Sequence, residues 1–196
     1  LLEKGIAFDE VLTRPNRDEA FLKISPAGKI PVLECEDGFL SESRAILQYL
    51  ETKYPQPSLI GSTPYTAGLA EQIYCLIHFN LDGVVRPLFK AAFFGGSATE
   101  AELQKMNEDS AFGATALARV ARFGPYMAGA EFTFADLAAI NTLPLVSRAA
   151  TSLGQPDPLS GLNGWSEYLA RVKERPAVQK VLAESAKALE AFMAKS

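Results

Sequence analysis

The sequence contains one histidine, His78, and two cysteines, Cys35 and Cys75, widely separated along the chain. A single histidine leaves little from which to build a histidine-based metal site or a Ser-His-Asp triad. The cysteines form neither a CxxC pair nor a metal-ligand spacing, so they read as reduced thiols of a cytoplasmic protein. His78 reads as a partly buried helix residue. Positive charge is scarce as well. The 19 Lys and Arg are outnumbered by 23 Asp and Glu, and a net charge of −4 excludes a broad nucleic-acid surface. No apolar run approaches the roughly 18 residues that span a bilayer. Neither a metal, a nucleic acid nor a membrane is expected as a partner.

What remains is an ordinary globular composition, 48% hydrophobic and 21% charged over 196 residues, enough for two domains with a substantial core. The proline- and glycine-rich stretch from Tyr54 through Pro64 separates two regimes. Residues 1–57 hold short apolar runs, and 64–196 hold only long helical patterns. The chain opens on Leu1-Leu2-Glu3-Lys4-Gly5, which reads as a helix tail closed by a glycine. Ile6 to Leu12 has the pattern of a strand. Asn16 followed by Glu19 has the spacing of a helix cap, ahead of Phe21, Leu22 and Ile24.

The most informative stretch runs from Ser25 to Tyr54. Pro26 and Gly28 mark a loop, and Pro31 sits at the first residue of an apolar run, where a missing N–H is tolerated. Asp37-Gly38 between that run and Phe39-Leu40 predicts a hairpin. Ser41-Glu42-Ser43 then precedes Ile46, Leu47 and Leu50, one apolar face of a helix, with serine as N-cap. Free N–H groups and the positive dipole end at that helix mouth favour an anion, the Ser43 hydroxyl adds a donor, and Glu42 is an acceptor for an ammonium. Serine and glutamate at such a position also serve simply as caps.

Pro26, Gly28-Lys29-Ile30-Pro31-Val32-Leu33 and Glu42-Ser43-Arg44-Ala45-Ile46 resemble the glutathione-binding half of the cytosolic glutathione transferase family, in its bacterial-type form. The resemblance implies a thioredoxin-like N-terminal domain followed by an all-helical C-terminal domain. It implies that the Ile30–Pro31 bond is cis, that Ile30 pairs its backbone with the cysteinyl backbone of glutathione, and that Glu42 and Ser43 grip the γ-glutamyl end. Lys29 adds either charge or only backbone. The thiol-activating residue of the family is expected upstream of Leu1, on a first strand and helix that precede this point. Glutathione is the implied co-substrate, and a homodimer acting in detoxification is the implied assembly.

The second domain opens at Thr63-Pro64, a cap with proline at N1, and its first long helix runs towards Phe94 with a bend near Gly83 and Pro87. Thr99 and Glu102 predict a capping box for a second helix that ends near Gly124-Pro125. Phe132-Thr133-Phe134-Ala135-Asp136-Leu137 combines a capping box, with Asp136 at N3, and a hydrophobic staple. That pair of motifs also resembles the family's helical domain. Helix continues across Pro144, and two last helices are expected around Trp165–Glu174 and Pro176–Met193. By the resemblance, Phe89 and Phe93 with Arg86 face the glutathione site as an apolar pocket for a second substrate, although core and dimer packing is the simpler explanation of the aromatics. The expected reaction is attack of the glutathione thiolate on a small hydrophobic electrophile. A glutathione-dependent isomerase, dehalogenase or thiol reductase, or a non-catalytic interaction protein, stands as the alternative.

Overall fold

The structure, a computed structural model, describes residues 1–193 of the chain, with side chains to residue 188. It divides into two compact units, Leu1–Ser58 and Leu59–Ser196.

The first unit begins with a 3-10 turn, Leu2–Lys4, closed by Gly5 in the left-handed region at φ 63°. Lys4 is buried. Its ammonium lies 2.6 Å from Glu51 and donates to the carbonyls of Tyr54 and Pro57 at 2.8 and 2.7 Å. A cation so placed caps the negative end of the helix α2 (Ser43–Lys53). The strand expected over Ile6–Leu12 does not form. A strand needs a ladder to satisfy its backbone, and among the described residues nothing pairs with this segment. Val11 and Leu12 are 83% and 88% exposed. Helix α1 (Glu19–Leu22) is capped by Asp18 rather than Asn16. Asn16 instead accepts from the Asp18 N–H at 3.0 Å, turning the chain one step before the helix.

Strands β1 (Val32–Cys35) and β2 (Gly38–Ser41) pair antiparallel, with Val32 opposite Ser41 and Cys35 opposite Gly38. The two central turn residues are therefore Glu36 and Asp37, one position earlier than the Asp37-Gly38 signal implies. Gly38 belongs to β2, where its φ of 133° is open to glycine and strained for other residues.

The second unit is all helical. Helix α3 (Pro64–Cys75) starts with a reciprocal box in which Thr63 accepts from the Thr66 N–H at 3.1 Å and Thr66 accepts from the Thr63 N–H at 3.0 Å. The chain then continues as a π-helical stretch, Leu76–Asp82, α4 (Gly83–Val85), a 3-10 turn at Arg86–Leu88 and α5 (Phe89–Phe93). The irregularity thus sets in before Gly83. Helix α6 (Glu100–Val120) carries the Thr99–Glu102 box, and Glu102 accepts from the Thr99 N–H at 2.7 Å. It stops at Val120, short of Gly124-Pro125, because Ala121 turns extended and the Arg122 N–H pairs with the Met127 carbonyl. Helices α7 (Phe134–Ser152, with Pro144 inside), α8 (Trp165–Val172) and α9 (Pro176–Met193) complete the unit.

The core of this unit lies where α6 and α7 pack against the π-helical stretch. Ile73, Ile77, Leu81 and Val85 line one face, and Leu117, Ala139, Leu143 and Val146 meet them, all fully buried. Gly113 of α6 sits directly against the backbone carbonyl of Asn80, so close that a methyl group there would overlap it. Among the described residues no helix is long and apolar enough to cross a membrane.

Candidate functional site

The loop before β1 is fixed by one buried hydroxyl. Ser25 is fully buried, and its Oγ accepts from the Lys29 N–H at 3.0 Å and donates to the Lys29 carbonyl at 2.7 Å. Both main-chain groups of Lys29 are therefore engaged, and only its exposed ammonium is offered outward. Gly28, at φ 66°, closes this loop against the carbonyl of Asn16, where a Cβ would collide with backbone. The Ile30–Pro31 peptide is cis. Pairing with β2 begins at Val32, so Ile30 has no cross-strand partner and is 47% exposed.

Across the hairpin, β2 ends at Ser41 and α2 begins at Ser43. The N-cap is Glu42, not a serine, and Ser43 is the first helical residue. Neither side chain is spent on capping. The Glu42 backbone is held at φ 69°, ψ 114°, a conformation that few residues other than glycine adopt. Its carbonyl accepts the first helical bond, from the Ile46 N–H at 3.1 Å. Among the described residues the Glu42 carboxylate and the Ser43 hydroxyl have no hydrogen-bond partner, and both are exposed. Backbone strain of this kind persists only where the surrounding structure imposes it. An open helix N-terminus, a free hydroxyl, a free carboxylate and a backbone at Ile30 without a cross-strand partner suit a ligand carrying carboxylates, an ammonium and a peptide-like middle. Glutathione has that chemistry, and the residues present fit it.

In the second unit, Arg86, Phe89 and Phe93 stand together. Arg86 pairs in bidentate fashion with the buried Asp82, Nε and Nη2 lying 2.7 and 2.8 Å from the two carboxylate oxygens. Its guanidinium lies 5.0 Å from the Phe89 ring centre. Phe89 meets Phe93 edge to face at 5.3 Å, and the Arg148 guanidinium covers Phe93 at 4.9 Å. Tyr74 is core, whereas Phe79 and Phe94 are 72% and 65% exposed. His78 is half-buried, and burial lowers its pKa below the usual value. Among the described residues no group of His, Cys, Asp and Glu is placed to hold a metal ion.

Sequence reasoning missed Ser25, Asp82 and Arg148. Asp82 and Arg86 are four apart on a helical pattern, a legible ion-pair spacing. Arg148 carries no such signal, because only packing of α5 on α7 brings it to Phe93.

A hairpin feeding a helix, with an all-helical unit downstream, agrees with the thioredoxin-like α/β domain followed by a helical one that the sequence implies. Residues 1–58 match the family description "Glutathione S-transferase, N-terminal domain". A glutathione S-transferase of Pseudomonas putida is 31% identical over 193 residues, covering 98% of this chain and 88% of the relative. The crystal structure of a glutathione S-transferase from Rhodospirillum rubrum superimposes with a TM-score of 0.70 at 26% identity, covering 90% of this chain and 81% of that one. A maleylacetoacetate isomerase of Pseudomonas aeruginosa is 40% identical over 68 residues, 32% of each chain. The chain belongs to the cytosolic glutathione transferase family.

Proposed function

We propose that this protein conjugates glutathione, its co-substrate, to small hydrophobic electrophiles, with Lys29, Ile30, Pro31, Glu42 and Ser43 as the glutathione-binding set. The observation that carries the reading is the pairing of an uncommitted carboxylate and hydroxyl at Glu42 and Ser43 with a backbone at Ile30 that lacks a cross-strand partner. Ser43 and the N–H groups of the first turn of α2 receive the γ-glutamyl carboxylate, Glu42 takes its ammonium, and Ile30 pairs with the cysteinyl backbone. Lys29 contributes its ammonium. Arg86, Phe89 and Phe93 receive the second substrate.

The glutathione sulfur attacks an electrophilic carbon, a C–S bond forms and the leaving group departs with its electron pair. A free thiol with pKa near 8.5 is only a few per cent ionised at pH 7, so holding it against the electrophile and favouring the thiolate are what the site must supply. The residue that activates the thiol is not assigned to any position of this chain.

Ser43→Ala should raise the KM for glutathione about tenfold, the scale of one hydrogen bond to a charged group, with a smaller effect on kcat. Unchanged glutathione affinity in titration calorimetry would remove the helix-mouth assignment. No heat of binding at millimolar glutathione would remove the transferase reading itself.

A glutathione-dependent isomerase is the second reading, favoured by the 40% identity over 68 residues to a maleylacetoacetate isomerase. A steady-state assay with an aryl halide, set beside a cis–trans isomerisation assay, separates the two. We also propose a homodimer in the cytoplasm. Tyr65, Phe79 and Phe112 in the helical unit are 72%, 72% and 65% exposed, which supports a covered face. Neither Cys35 nor Cys75 is joined in a disulfide, in keeping with a reducing compartment. Light scattering should return twice the chain mass, and a monomer at micromolar concentration would contradict the dimer.

A further inference from the structure

The four residues Arg86, Phe89, Phe93 and Arg148 run cation, ring, ring, cation from the 3-10 turn Arg86–Leu88 along α5 to α7. Their charges are unequal in availability. Arg86 is bound through two nitrogens to Asp82, whose side chain is 8% exposed, so that pair is neutral and serves to fix the guanidinium beside Phe89. Arg148 is exposed, holds its guanidinium carbon 4.9 Å from the Phe93 ring centre, and has no carboxylate partner among the described residues. A guanidinium held over an aromatic ring with no carboxylate on its N–H groups keeps them available for a bidentate acceptor.

The surroundings strengthen that cation. From Gly83 to Ala98 the only charged residues are Arg86 and Lys90, and Lys90 likewise has no carboxylate partner among the described residues. In α7 the charged residues are Arg148 and, near the other end, Asp136, whose carboxylate is buried and hydrogen-bonded. A protein of net charge −4 therefore places uncompensated positive charge next to two half-buried phenyl rings. Such a place attracts anions and selects them over neutral molecules of the same shape.

We infer that the electrophile taken by this protein carries a carboxylate on a flat apolar body, the body lying against Phe89 and Phe93 and the carboxylate on Arg148. This rests on the transferase reading and narrows it, because apolar rings alone select only for a neutral hydrophobic molecule. Arg148 is then a specificity-determining residue.

The test compares 4-chloro-3,5-dinitrobenzoate with the corresponding primary amide, each rate divided by its uncatalysed rate with glutathione. In both, sulfur bonds to the ring carbon that bears chlorine, chloride leaves with the electron pair, and the thiol proton passes to solvent. The acid should be preferred in kcat/KM by about tenfold, the scale of one charge-assisted contact. In Arg148→Gln the preference should collapse towards unity, and Arg148→Lys, which keeps charge but not the fork, should retain part of it. Added salt should erode the preference. Equal rates for acid and amide in the unaltered protein, or a preference that survives Arg148→Gln, would overturn the inference.

Should the protein turn over neither compound, aryl chlorides are excluded as substrates, the glutathione titration decides the transferase reading, and calorimetry with the unreactive pair 3,5-dinitrobenzoate and 3,5-dinitrobenzamide decides the anion site. Saturable binding of the acid that is lost in Arg148→Gln upholds it. Absent or equal binding ends it. The urea midpoint of each variant establishes that the exposed substitution leaves the fold intact.

Discussion

Asp136→Ala should destabilise the helical unit by about 3 kcal/mol or more, since each buried donor left unsatisfied costs about 1–3 kcal/mol. The carboxylate is fully buried and accepts from four donors. The Met127 N–H and the Tyr168 hydroxyl reach Oδ1 at 2.8 Å each, and the Thr133 N–H and hydroxyl reach Oδ2 at 2.8 and 3.2 Å. One side chain thus joins the start of α7, the segment before it and α8. Removing it strands donors on all three, which is a large part of the roughly 5–15 kcal/mol that holds a domain together. Urea unfolding followed by circular dichroism reads the loss, and a shift below about 1 kcal/mol would show that water replaces the lost partner.

The same residue gives a pH dependence. Burial raises the Asp136 pKa above the usual carboxylate value, more than its hydrogen bonds lower it. A carboxyl whose folded pKa exceeds its unfolded one binds the proton more tightly when folded. Its contribution is therefore complete below the unfolded value and is lost as pH rises through the folded value. Asp136→Asn does not titrate. The stability difference between the two proteins should be largest near pH 4 and shrink towards pH 7. A difference that grows with pH would reverse the sign.

The second large effect is a contrast between two helical glycines. Gly68 on α3 has no neighbour within 4 Å of the place a Cβ would take, so Gly68→Ala should stabilise by about 0.5–1 kcal/mol through helix propensity alone. Gly113→Ala gains the same term and still loses. Its methyl would strike the Asn80 carbonyl, a backbone atom that cannot swing aside as a side chain can. Overpacking of this kind costs about 1–3 kcal/mol or more, so the net change should be destabilising, and Gly113→Val should be worse. Equal midpoint shifts for the two alanine variants would mean that α6 moves away without cost.

What the sequence discloses about this fold is mostly local. Thr63-Pro64, the Thr99–Glu102 box and the Thr133–Asp136 pair are visible because caps depend on residues three apart in the chain. The hairpin shows for the same reason, although its turn sits one residue early, because Gly38 is needed for a strand-end φ rather than for the turn centre. Ile6–Leu12 misleads, since alternation describes a face and says nothing about whether a ladder partner exists. The helix mouth is legible in composition but not in register. Serine's preference for the N-cap loses to the strained Glu42 backbone, which no propensity scale anticipates. Lys4 with Glu51, Gly113 with Asn80 and Arg148 with Phe93 are long-range pairs that only the fold creates.

The π-helical stretch Leu76–Asp82 carries a geometric consequence. Wider coils of this kind turn fewer degrees per residue than the α form, so they reset the angular phase of everything downstream. In an ordinary α-helix each residue advances the azimuth by about 100°. Rewinding Leu76–Asp82 to α geometry with every residue kept would rotate Arg86, Phe89 and Phe93 as a block by roughly a quarter turn, with no change in their identities, whereas excising one residue at the same time would largely restore their direction. Within this unit, the direction in which those side chains point is set by the winding of a coil rather than by their own spacing.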